Sequence, residues 1–138
     1  LESGVDRRMI DVFTPGHCFV YRGLGTVLPE RLAHNVPNCG YHIWMSAETL
    51  FYATDTGSLD GVAAKGYDLY LIEANHTRAE LDARLEAKRA AGEYAYEWAA
   101  AQNHLSREQA EDWIYRNIGP NGRYAFLHQH EQEDCRKK

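Results

Sequence analysis

Three histidines and two acidic residues have the types and settings from which a protein could build a reactive site: His34, Asp55, Glu73, His104 and His128. Imidazole nitrogens and carboxylate oxygens bind zinc and other divalent ions, and a histidine held by a carboxylate is a proton donor near neutral pH. Asp55 follows the apolar run TLFYAT, and His128 follows the apolar run YAFL. A purely structural explanation also exists for each residue, because Asp in a turn usually caps backbone amides and histidine near a loop is most often exposed.

The elements that must position these residues change character halfway along the chain. Apolar runs and alternating patterns predict strands at 9–13, 17–21, 40–45, 49–54, 67–73 and 124–128. Helices are predicted at 77–91, 93–102 and 106–117, where Thr77 with Glu80 and Ser106 with Gln109 have the spacing of capping boxes. Strands that alternate with helices late in the chain indicate an α/β fold.

Composition narrows the class of protein. A chain of 138 residues with 44% hydrophobic residues fits one globular domain, and no apolar run approaches the ~20 residues of a membrane-spanning helix. The formal net charge of -5 disfavours a large nucleic acid and favours small substrates. The odd number of cysteines, Cys18, Cys39 and Cys135, without a C-x-x-C pair predicts a reducing, cytoplasmic compartment.

The order of the motifs resembles the C-terminal half of a metallo-β-lactamase-fold hydrolase, closest to the ribonuclease Z and phosphodiesterase branches. The matching segments are HNVPNCGY at 34–41, the TDTG turn at 54–57, IEAN at 72–75, HLS at 104–106 and the final FLH at 126–128. The resemblance implies that Asp55 bridges metal ions, with His34 and His128 as further ligands. It also implies that Glu73 orients His104 towards the scissile phosphate or the leaving group. His130, two residues after His128, is an alternative last ligand.

The H-x-H-x-D-H motif, which supplies the remaining ligands in that family, is absent from the sequence. The resemblance therefore implies half of a four-layer αββα fold, a mixed sheet with helices on one face, and an incomplete site for zinc or another divalent metal such as manganese. Residues 1–138 would form a single partial domain, with strands in 9–73 and 123–130 and helices in 77–117. The start at Leu1 instead of Met suggests a piece of a longer chain. An inner sheet face with Phe51, Leu69 and Leu71 would need a missing N-terminal half or a second copy as partner.

The leading hypothesis is a metal-dependent hydrolase of phosphodiester bonds, a nuclease or nucleotide phosphodiesterase, acting on a nucleic acid or a small phosphodiester. The alternative is a truncated, catalytically inactive relative that works as a binding or regulatory module. A third interpretation treats the histidines as incidental in a structural α/β domain. Tyr94, Tyr96 and Trp98 are candidate base-stacking groups, although aromatic residues at this spacing more often belong to a core.

Overall fold

A single mixed sheet organises the molecule, seen in a computed structural model that describes residues 4–94 and 96–129. Its six strands lie side by side in chain order. They are β1 (Phe19–Tyr21), β2 (Gly25–Leu32), β3 (Asn38–Trp44), β4 (Thr49–Ala53), β5 (Leu69–Glu73) and β6 (Arg123–Leu127). The strands from β1 to β4 pair antiparallel, whereas β5 is parallel to both β4 and β6. The carboxyl ends of β4, β5 and β6 therefore share one edge of the sheet.

Three helices fill the crossover between β5 and β6. They are α1 (Arg78–Ala91), α2 (Glu97–Asn103) and α3 (Arg107–Asn117). Both predicted capping boxes are confirmed, since the side chains of Thr77 and Ser106 accept from the backbone N–H three residues on and the N3 side chain bonds back to the cap. Gly92 ends α1 in the left-handed region, with φ of 68°. No helix among the described residues has the length and apolar content to cross a bilayer.

The structure departs from the sequence prediction near the N-terminus. The strand predicted at 9–13 is wrong: a short 3-10 helix at Arg7–Met9 ends there, and the residues that follow form no strand. The sequence does not predict strand β2, because Pro29 and the charged Glu30 and Arg31 interrupt its apolar pattern. Pro29 nevertheless lies opposite Tyr41 of β3, and its carbonyl accepts from the backbone N–H of Gly16.

The core lies between the sheet and α3. Phe51 of β4 and Tyr70 of β5 are fully buried, and their rings lie 5.1 and 6.0 Å from the indole of Trp113. Phe51 thus points to the helix face, which corrects its expected place on the open face. Leu69 and Leu71 alternate with Tyr70 along β5, so they point to the opposite face, and both are only half-buried.

His42 gives the fold a titratable group inside the core. Its ring is 5% exposed, lies 4.7 Å from that of Phe51 and is within 3.2 Å of the Tyr67 hydroxyl. Burial holds the pKa of His42 below its ordinary value of 6.5, although the nearby charge of Glu30 opposes the shift. Below about pH 6.5 the unfolded chain therefore takes up a proton at His42 that the folded chain resists. The free energy of unfolding consequently decreases as the pH is lowered through this range.

We expect the variant His42→Phe to lose less unfolding free energy than wild type between pH 7.5 and pH 5.5, as measured by urea denaturation at both values. His17→Phe, at an exposed position, is the matched control and should lose as much unfolding free energy as wild type between the two pH values. An equal loss for wild type and His42→Phe would contradict the assignment of this pH dependence to His42.

Candidate metal centre

The shared carboxyl edge of the three neighbouring strands brings candidate ligands together. Asp55 lies two residues beyond β4, Glu73 is the last residue of β5, and His128 follows β6 directly. The register pairs Glu73 with Leu127, so His128 is placed beside the end of β5. Edges of this kind are where open α/β sheets bind ligands.

His104 reaches the same edge from the segment between α2 and α3. The backbone N–H of Asn75 donates to the carbonyl of Leu105 at 3.0 Å, and His76 forms an isolated parallel bridge with Ser106. These bonds tie the segment after His104 to the segment after β5. The imidazole of His104 is thereby fixed over the end of the sheet.

Four side chains form a compact group of donors, in which each residue offers one atom and all four atoms lie within 4.8 Å of one another. The group, called the metal cluster below, consists of Asp55, Glu73, His104 and His128. The Nδ1 atom of His128 lies 3.1 Å from Asp55 Oδ1 and 3.3 Å from Glu73 Oε1. The Nδ1 atom of His104 lies 3.8 Å from Asp55 Oδ1.

These distances suit a divalent ion. Zinc bonds to nitrogen and oxygen of about 2.0–2.1 Å in a tetrahedron place neighbouring donor atoms about 3.3 Å apart. The Nδ1 atom of His128 is already within a few tenths of an ångström of that spacing from both Asp55 Oδ1 and Glu73 Oε1. Two carboxylates and two imidazoles are a donor set that zinc and manganese both accept. The residues present therefore fit such an ion.

Glu73 is the only fully buried member of the metal cluster, with no exposed surface. Its Oε2 atom accepts the backbone N–H of Thr56 at 2.8 Å, and its Oε1 atom bonds the Nδ1 atom of His104. Because a carboxylate can only accept, the Nδ1 of His104 donates and its Nε2 atom is left as the acceptor. The pair has the arrangement of an oriented acid–base histidine.

His34 lies beside the metal cluster without belonging to it. Its Nδ1 atom donates to the carbonyl of Asn103 at 3.0 Å, and its ring meets that of His104 edge-on with centroids 5.4 Å apart. Metal-binding histidines usually donate their second ring nitrogen to such an acceptor. The Nε2 atom is then the nitrogen of His34 that carries a lone pair.

Comparisons with known proteins give a fold but no close relative. No protein-family model matches the sequence, and no curated protein matches it. Among solved structures, the metallo-β-lactamase fold protein YhfI from Bacillus subtilis aligns with a TM-score of 0.63 at 16% identity, over 88% of this chain and 44% of that one. The human tRNase Z, short form (ELAC1), aligns with a TM-score of 0.56 at 17% identity, over 81% of this chain and 38% of that one.

The chain is half of a metallo-β-lactamase fold. It spans less than half the length of either solved structure, which agrees with the predicted half of a four-layer arrangement. The mixed six-stranded sheet, with α3 packed on one of its faces, also agrees with that prediction. The metallo-β-lactamase fold is thus confirmed by backbone geometry where sequence identity is low.

The remaining predicted groups are His130 and three aromatic residues, Tyr94, Tyr96 and Trp98. His130, the alternative last ligand, lies outside the described residues. Tyr94, Tyr96 and Trp98, the candidate base-stacking groups, are 87%, 64% and 56% exposed, so they do not belong to the core. The ring of Tyr96 instead receives the Lys88 ammonium at 3.7 Å, a cation–π contact on the surface.

Glu73 and His104 are the members of the cluster whose place among the possible ligands the sequence does not predict. Glu73 is predicted as the partner of His104, and it has that contact, but its Oε1 atom is also 3.3 Å from His128. A Glu at the end of an apolar strand is the signal that could have suggested a ligand, because its carboxylate meets those of neighbouring strand ends.

Proposed function

We propose that this chain is the C-terminal half of a metal-dependent hydrolase of phosphodiester bonds, a nuclease or nucleotide phosphodiesterase. The observation that carries the proposal is the convergence of Asp55, Glu73, His104 and His128 at the carboxyl edge of three parallel strands. The half-length match to two metallo-β-lactamase-fold structures supports it, and one of these is named a tRNase. The free thiols of Cys18 and Cys39 support a reducing, cytoplasmic setting.

The residues divide into two roles under this proposal. Asp55 and His128 hold a divalent ion such as zinc or manganese, and His34 joins them through its free Nε2 atom. When bound, the ion supplies Lewis-acid polarisation of a phosphoryl oxygen. His104, when protonated on both ring nitrogens, donates the Nε2 proton to the leaving oxygen, and Glu73 keeps the ring oriented for this transfer by accepting from Nδ1.

The open face of the sheet supports association with a second half. Alternation and register place Ile43, Leu50, Leu69 and Leu71 on this face, and all four side chains are only half-buried. We propose that an N-terminal half, or a second copy of this chain, covers them and adds the missing ligands. The acidic net charge of -5 favours a small phosphodiester over a long nucleic acid as substrate.

A zinc titration by calorimetry tests the proposed site. Wild type is expected to bind one equivalent of zinc, and EDTA should remove it. Two ligand sets are possible, Asp55 and His128 with either His34 or Glu73, and the variants His34→Ala and Glu73→Gln distinguish them. The variant that removes a true ligand should weaken zinc binding by more than about 100-fold, because the loss of a supporting residue alone costs about 10–100-fold. Tyr115→Ala, at a surface position 87% exposed, serves as the control and should bind like wild type.

The second candidate function is an inactive binding or regulatory module, in which the cluster binds a metal ion without turnover. Hydrolysis of bis(p-nitrophenyl) phosphate by the zinc-loaded chain, alone and after addition of an N-terminal half from a metallo-β-lactamase-fold protein, separates the two. Turnover that depends on zinc and on His104 supports the hydrolase. Zinc binding without turnover in either mixture supports the module, and the lack of any zinc binding contradicts the proposed metal site.

A further inference from the structure

Two residues in the metal cluster have an unusual backbone conformation. Among the residues that the structure describes, Asp55 and His128 are the non-glycine residues with positive φ, at 55° and 52°. Side chains with a Cβ atom avoid this left-handed region unless the surroundings impose it. Both ligands thus depend on neighbours to keep the conformation that turns their side chains towards the cluster.

The backbone at Asp55 is held by Asn38, the first residue of β3. The Nδ2 atom of Asn38 donates to the carbonyls of both Thr54 and Asp55, at 2.7 and 2.8 Å. Its Oδ1 atom accepts from the backbone N–H of Cys39 at 2.8 Å, which fixes the rotation of the amide. The turn that carries Asp55 is therefore bonded across to the neighbouring strand on both sides of its strained residue.

The backbone at His128 is held in the same way by a different asparagine. Asn75 follows β5 and is 4% exposed, and its Nδ2 atom donates to the carbonyl of His128 at 3.2 Å. The backbone N–H groups of Ala74 and Asn75 donate to the carbonyls of Leu127 and Leu105. The backbone of Asn75 is thus anchored between the segment of His104 and that of His128.

We infer that Asn38 and Asn75 are positioning residues of the metal site, each of which fixes the backbone of one ligand through a side-chain amide. The inference rests on the proposed function, since it assigns these amides a role only if the cluster binds an ion. Metal affinity depends on how closely the free ligands match the bound geometry, and groups that orient ligands typically change it by about 10–100-fold. A ligand on a turn beyond a strand end has freedom that these amides remove.

The test compares zinc affinity by calorimetry and the visible absorption spectrum of the cobalt(II) form in wild type, Asn38→Ala and Asn75→Ala. Each variant should bind zinc about tenfold more weakly and show an altered cobalt spectrum, because the donor set is unchanged while its geometry is loosened. Asn38→Ser and Asn75→Ser, which keep a shorter donor, replace the alanine variants if these do not fold, and the same losses are expected.

Asn117→Ala is the matched control. Like Asn75, Asn117 is a buried asparagine, and its side chain bonds the carbonyl of Trp113 and the N–H of Ala64, neither of which belongs to the metal cluster. It should lose stability and keep wild-type zinc affinity and cobalt spectrum. Wild-type values in both Asn38 and Asn75 variants would overturn the inference alone. Absence of zinc and cobalt binding by wild type would overturn the proposed function and the inference with it.

Discussion

Replacing Gly57 by alanine is expected to lower the free energy of unfolding by about 3 kcal/mol and to displace the segment that carries His104. A Cβ atom at Gly57 would lie 2.0 Å from the carbonyl oxygen of Gln102 and 2.9 Å from its carbonyl carbon. Both atoms belong to the backbone of α2, so no side-chain rotation can relieve the contact. Asn103, the next residue, accepts the bond from His34, and His104 follows it.

Urea denaturation measures the stability loss, and a zinc titration of the same variant measures the damage to the site. Gly119→Ala is the matched control, because the nearest atom to a Cβ atom there is 3.4 Å away and its backbone φ is not positive. That control should stay within about 0.5 kcal/mol of wild type. If Gly57→Ala were as stable as Gly119→Ala, the close approach of the Asp55 turn to α2 would be disproved.

The sequence is most informative where local chemistry decides the structure. The capping residues Thr77 and Ser106 predict the starts of α1 and α3 correctly, because a cap needs only neighbours three residues away. Strand β2 escapes prediction, since Pro29 is tolerated there through pairing with β3 that no local pattern reveals. The expected place of Phe51 on the open face is wrong for the same reason. Alternation predicts which residues share a face of the sheet, but only the packing of Trp113 determines which face is covered.

In the candidate site, too, some features can be predicted from local sequence and others depend on tertiary structure. A carboxylate after one strand and a histidine after another are visible in the sequence, and their proximity follows once the strands are parallel neighbours. The supporting groups are not visible in this way. Asn38 is 17 residues from Asp55 and Asn75 is 53 residues from His128. Their bonds to those carbonyls depend on strand register, which the sequence alone does not specify.

Phe51→Ala is expected to lower the free energy of unfolding by about 3–5 kcal/mol, the usual cost of removing a large aromatic side chain from a packed core. Phe51 has no exposed surface and contacts the rings of His42 and Trp113, so its removal leaves a cavity that β4 and α3 cannot close without moving. Urea denaturation gives the loss, and the slope with denaturant shows whether the variant still unfolds in one step.

Leu71→Ala is the control for that experiment, because Leu71 lies on the opposite face of the sheet and is half-buried. Its loss in this chain alone should be about 1 kcal/mol, since little of its surface leaves water. Similar losses for the two variants would contradict the assignment of Phe51 to the helix side. We propose that a second half covers the open face. Once that partner is bound, the loss of unfolding free energy caused by Leu71→Ala should rise towards that of a core leucine. The loss caused by Phe51→Ala should stay the same.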